Sequence, residues 1–146
     1  MGLSKGRRRR HQLRLQEETQ RNWEAVARCL PLQLIDSSAF QLLEGGPKAR
    51  RRFLDWGVFH VEHSFIAAWR DSRKALANRN ALLKQPRLDT GQLEAWDSEL
   101  VSAAGKVDKL RGETMERFLP LFSEVYAQLE GVYQDELKIT YERGWA

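Results

Sequence analysis

Directly behind Pro47 stand Lys48, Arg50, Arg51 and Arg52, four cations within five positions. A guanidinium presents a rigid fork of donors that matches phosphate or carboxylate oxygens, and a lysine adds a mobile point charge. Pro47 suits the first position of a helix, where its missing N–H would be unbonded in any case. The four cations then occupy the first turns of that helix. Free backbone N–H groups and the macrodipole favour an anion there, so clustered positive charge works against the dipole. A negative group nearby relieves the conflict. It can be a phosphate, or it can be Asp55 or Glu44 pairing with Arg51 or Arg52, and both readings stay open at this point. A second run, Arg7 to Arg10, reads as a solvated terminus that contacts phosphate without specificity, or as the remnant of an ordered loop.

Other reactive chemistry is sparse. His60 and His63 flank Glu62, but no third ligand is evident, so they are assigned to a surface turn before Ser64 rather than to a metal. Cys29 is the single cysteine and has no histidine close in sequence. No GxxxxGK[ST] loop, no GxGxxG after a strand and no GxSxG elbow occurs. Asp97, Glu99 and Asp108 read as the solvated face of a helix, and Trp56 and Trp69 as core. No catalytic residue, metal site or resident cofactor is expected in this chain.

The elements that must carry these residues follow from periodicity. His11 to Gln16 alternates polar and apolar, as a short strand does. Thr19 can cap a helix to about Leu30, with Trp23, Val26, Ala27 and Leu30 on one side. Pro31 to Ile35 suggests a second strand, and Asp36-Ser37-Ser38 starts a brief helical turn through Leu43 that Gly45-Gly46 ends. A helix follows from Pro47, with Ala49, Phe53 and Trp56 at helical spacing; Gly57 weakens it without ending it. Ser64 can cap a long helix to about Lys84, whose seam reads Phe65, Trp69, Ser72, Leu76, Arg79 and Leu83. Gln85 to Gly91 is the turn. Leu93, Trp96, Leu100, Ala103, Val107, Leu110 and Thr114 then recur at steps of three and four, a heptad seam. Gly105 and Gly112 weaken this second helix, Pro120 marks a break or kink, and Leu121, Val125, Leu129 and Val132 continue helically. Leu137 to Tyr141 alternates again as a strand. Strand-like segments at both ends, without partners for their backbone groups, give the outline of a fragment.

A chain of 146 residues suffices for one domain with a core. A lone cysteine fits a reducing cytosol, no apolar run approaches a membrane span, and no apolar stretch follows the basic start as a signal peptide requires. The net charge of +4 is unevenly spread. Residues 47–87 hold ten basic and three acidic side chains, whereas residues 88–146 hold six basic and twelve acidic. Such opposition reads as two helices attracting one another across a hairpin, or as a phosphate-binding face.

Gly45-Gly46-Pro47-Lys48-Ala49-Arg50-Arg51-Arg52-Phe53-Leu54-Asp55 resembles the signature of the RecF family of bacterial DNA replication and repair proteins, through Gly45, Pro47, Arg51, Phe53, Leu54 and Asp55. Pro31 to Ile35, Trp56 to His60, Asn78-Arg79-Asn80 after Ala75-Leu76, and Tyr141-Glu142-Arg143-Gly144-Trp145 are similar to the same family. The resemblance implies a mostly α fold. In it, an antiparallel coiled-coil arm over about 64–118 forms domain II of an ABC- and SMC-like ATPase, with short strands from an incomplete head. Residues 1–46 would then be head remnant, 47–132 the helical arm and 133–146 the strand returning to the head. It further implies a parent that binds ATP, Mg2+ and DNA, single-stranded or duplex at gaps, and that dimerises around ATP. Such a parent works with RecO- and RecR-type mediators, assists RecA loading and the SOS response, and resides in the nucleoid-associated cytoplasm. The phosphate loop, signature and Walker B segments fall outside the resemblance, so this chain is expected to be no ATPase. Ser37 and Ser38 stand where the family usually has proline and an acidic residue. The alternative is a non-catalytic helical hairpin that binds other proteins and does not touch DNA.

Overall fold

The computed structural model describes residues 2–5, 11–15, 17–20, 22–33, 36–128 and 138–143. The chain forms two compact units, residues 1–50 and 51–146, and the division falls inside one helix.

In the first unit, β1 (Gly2–Lys5), β2 (His11–Leu15) and β3 (Glu18–Gln20) make an antiparallel sheet in that order. Leu13 lies opposite Leu3 on one side and Gln20 on the other. Glu17, at φ 67°, turns β2 into β3. The strand read at 11–16 is therefore real, but it pairs within the chain on both sides. The expectation that it lacks a neighbour is corrected. Thr19 is also reassigned: it pairs with Arg14 in the sheet, as a β-branched residue readily does. The following helix, α1 (Glu24–Cys29), starts later, where Asn22 Oδ1 accepts from the Glu24 N–H at 3.1 Å. Residues 31–33 are irregular rather than a strand, and residues 34–35 lie outside the described part. A 3-10 turn over Ser37–Phe40 runs into α2 (Gln41–Glu44), as the local sequence predicts.

Gly45 ends α2 for a reason of space. Its N–H bonds Gln41 O at 2.9 Å, and a side chain at Gly45 would collide with that carbonyl. Helix α3 (Pro47–Val61) starts two residues on. It passes through Gly57 and takes in His60, which is helical rather than part of a surface turn.

The second unit is built on α3, α4 (Phe65–Leu82) and α5 (Thr90–Ala127). Their core is Val58 of α3, Phe65 and Ala68 of α4 and Val107 of α5, flanked by Leu54, Phe59, Trp69 and Leu110. Arg79, late in α4, binds Asp97, early in α5, while Phe65 at the start of α4 packs near Val107. The two helices are antiparallel, as read. On α5 the predicted seam holds: Ala103 and Val107 are buried, and Leu93, Trp96, Leu100, Leu110 and Thr114 are half-buried. On α4 the seam is shifted. Phe65, Ala68, Ala75 and Leu82 are buried, while Leu76 and Leu83 are exposed. Small alanines let the backbones approach closely, and the bulkier apolar residues fall to one flank.

Three local details differ from expectation. Ser64 occupies the N-cap of α4 without a side-chain capping bond. Asp89 caps α5 instead of the turn running to Gly91; its carboxylate accepts from both the backbone N and Nε2 of Gln92 at 2.9 Å. Pro120 lies inside α5, which continues to Ala127. A proline removes one helical hydrogen bond, and long flanking turns can absorb that loss. Leu129 and Val132 lie outside the described residues, as do residues 133–137, Leu137 among them. Residues 138–143 are irregular rather than a strand. Among the described residues, no helix is long and apolar enough to cross a membrane.

Candidate nucleic-acid interface

Lys48, Arg50, Arg51 and Arg52 all lie in the first two turns of α3 and are exposed. Their roles divide. Arg50 reaches back, its Nη1 donating to Gly45 O at 2.9 Å and, more weakly, to Leu43 O at 3.5 Å. It thereby satisfies carbonyls at the C-terminal end of α2, a common use of a cation at that position. The remaining three are different. Among the described residues, Lys48, Arg51 and Arg52 have no hydrogen bond or ion pair.

The carboxylates that could have neutralised them are engaged elsewhere or stay apart. Asp55 Oδ1 accepts from both Nε and Nη2 of Arg111 on α5, each at 2.7 Å. Both side chains are about four-fifths buried (19% and 22% exposed), so this is a partly desolvated clamp and worth more than a surface pair. Glu44 is exposed and forms no ion pair among the described residues. The alternative in which Arg51 or Arg52 pairs with Asp55 or Glu44 is not what the fold adopts.

The other signature residues take distinct positions. Pro47 opens α3, and Gly45 permits the close approach to Gln41. Leu54 packs on the three-helix core. Phe53 is exposed and stacks on Trp56 at 6.4 Å between centroids, and His60 stands edge-on to Trp56 at 4.8 Å. Trp56 thus belongs to a half-buried aromatic stack beside the core, whereas Trp69 packs on the core as read, with Arg73 over its ring at 5.7 Å.

Sequence reasoning missed a second cluster. Asp108, read as solvated, accepts from Tyr141 Oη at 2.8 Å and pairs with Arg143 Nε at 3.4 Å, fastening the segment at 141–143 to α5 beside Gly112. Burial, together with the hydrogen bond and negative charge of Asp108, pushes the Tyr141 phenol up to about 12. Asp97 likewise pairs, with Arg79, while Glu99 is exposed. Glu62 bonds Arg117 of α5. Thus Glu62, between the two histidines, serves helix packing. Among the described residues no three His, Cys, Asp or Glu side chains gather to hold a metal ion.

Comparison with known proteins places these residues in a wider frame. The DNA replication and repair protein RecF of Pseudomonas syringae pv. syringae (strain B728a) is 42% identical over 145 residues, 99% of this chain and 39% of that protein. RecF of Pseudomonas aeruginosa (strain UCBPP-PA14) is similar to the same extent, and RecF of Pseudomonas fluorescens (strain Pf0-1) is 41% identical over the same span. The chain therefore spans about two-fifths of the length of these relatives, to which nearly all of it is homologous. No family model matches the chain, and no solved structure matches it.

Proposed function

We propose that this RecF-related chain is the helical arm region of a DNA replication and repair protein, and that it touches nucleic-acid phosphates through Lys48, Arg51 and Arg52. One observation carries the reading. Three exposed cations without partners among the described residues sit at a helix start, where positive charge is unfavourable unless an anion joins it. Arg50 supports the site indirectly, by tying α2 to the start of α3.

On this reading the chain has no catalytic role of its own. The intact parent supplies ATP and Mg2+ binding, dimerises, meets DNA at gaps with RecO- and RecR-type mediators, and supports RecA loading and the SOS response in the cytoplasm. These belong to the proposal and follow the kinship with RecF.

The test is the salt dependence of binding to a labelled single strand and to a gapped duplex. Replacing Lys48, Arg51 and Arg52 by glutamine should lower the slope of log affinity against log salt by roughly 2 to 3, since each phosphate contact contributes about 0.7–0.9. An unchanged slope removes the site. A second reading, a hairpin that binds proteins alone, is favoured by the exposed apolar residues Phe118, Leu121 and Val125 along the end of α5. Cross-linking and size-exclusion without nucleic acid separate the two.

A further inference from the structure

The charge of α4 finds little use inside the hairpin. Phe65–Leu82 holds Arg70, Arg73, Lys74 and Arg79 against one carboxylate, Asp71, and the following turn adds Lys84 and Arg87. If these cations served to attract α5, they would meet its seven carboxylates across the seam. Arg79 of α4 pairs with Asp97 of α5, and Arg70 is engaged as well, which leaves Arg73 and Lys74 without an ion pair among the described residues. On α5, Asp108 is held by Tyr141 and Arg143, and Glu113 lies near Lys109 on its own helix at 3.7 Å.

The burial pattern fixes where the remaining cations lie. Phe65, Ala68, Ala75 and Leu82 mark the inner side of α4. Arg73 and Lys74 fall on the opposite side and are exposed, and Lys84 is exposed in the turn after the helix, whereas Asp71 lines the groove shared with Lys106 and Lys109 of α5. The outward side is thus free of carboxylates. Between its cations lie Ala77, Asn80 and Ala81, all exposed and short, so an extended polyanion can approach the helix closely. From Arg73 to the end of α4 at Leu82 the helix rises by about 14 Å, with Lys84 in the turn just beyond it, enough to follow several phosphates of a nucleic-acid strand. The Arg73 guanidinium, resting over Trp69, is pre-oriented while its charge stays exposed. Protein interfaces are anchored by aromatic side chains, and apart from Trp69 beneath Arg73 none stands beside these cations, with no aromatic from Arg73 to Lys84.

We propose that the outward face of α4 and the turn that follows it, through Arg73, Lys74 and Lys84, form a second phosphate-backbone contact, separate from the start of α3. It binds nucleic acid without reading sequence, because flexible cations along one helix face reach phosphates and not base edges. The proposal rests on the nucleic-acid reading given above, and its test keeps the two apart.

Two triple variants of the full chain are compared with the parent: Arg73→Gln/Lys74→Gln/Lys84→Gln, and Lys48→Gln/Arg51→Gln/Arg52→Gln. Glutamine keeps helix propensity, and circular dichroism confirms the helix content of each. Anisotropy of a labelled single strand is read across a salt series. The α4 variant should lose roughly tenfold in affinity and about 2 in slope, and combining it with the α3 variant should add the two losses. If the α4 variant matches the parent while the α3 variant weakens, the second contact is wrong and the proposed function stands. If the parent chain binds no nucleic acid, both fall. If the α4 variant loses binding to polyglutamate but keeps its DNA affinity and slope, the face serves an acidic protein and this proposal is overturned.

Discussion

Asp55 shows how one side chain decides what its neighbours can do. By receiving Arg111 from α5 it leaves Arg51 and Arg52, four and three positions before it, without a carboxylate among the described residues. The sequence shows Asp55 on a helix with arginines one turn away, but Arg111 lies 56 positions along the chain. Local spacing cannot rank a local partner against a distant one; packing does. The same holds for Asp108, whose charge looks solvated until Tyr141 and Arg143 return to it. That contact makes a pH prediction. The Tyr141 phenol is raised from 10.0 to about 12 in the folded chain. Its stabilising contribution is therefore complete below the unfolded value and is lost as pH rises through the folded one. Docking of residues 141–143 should loosen between pH 10 and 12. A difference titration of the parent against Tyr141→Phe, followed by phenolate absorbance, checks this; a Tyr141 midpoint near 10 would refute it.

At the scale of elements, the long hairpin and its order were legible, and the seam of α5 could be read residue by residue because large apolar groups mark it. The seam of α4 could not. Ala68 and Ala75 carry little hydrophobic signal, and attention passes to Trp69, Leu76 and Leu83, which lie to one side. Strand β1 was missed because Gly2–Lys5 has no apolar alternation; it pairs with β2 from Gly2 opposite Arg14 to Lys5 opposite His11. Glycines separate by their surroundings. At Gly105 a new Cβ meets nothing within 4 Å in mid-helix, so Gly105→Ala should stabilise the chain by about 1 kcal/mol. At Gly45 the same change strikes Gln41 O, and should destabilise by more than that gain. Urea denaturation of both variants measures the two signs, and equal effects would contradict the account.

For the second unit as a whole, the uneven charge is directed outward more than inward. Its helices are held by the apolar cluster around Val58, Phe65, Ala68 and Val107, with the Asp55–Arg111 clamp beside it. Exposed pairs such as Lys109–Glu113 contribute at most about 1 kcal/mol each. Raising salt should therefore leave the melting temperature nearly unchanged while it weakens nucleic-acid binding steeply. A calorimetric scan showing a large loss of stability in high salt would return the charges to the interior of the hairpin. Pro120 adds a mechanical consequence. Roughly 45 Å of helix separates it from the start of α5 at Thr90. The carbonyl of Glu116 loses its usual helical donor at Pro120, which softens this turn of the rod. Each ~10° of flexure there would swing the far tip by roughly 8 Å, so a slight adjustment at one end becomes a long stroke at the other.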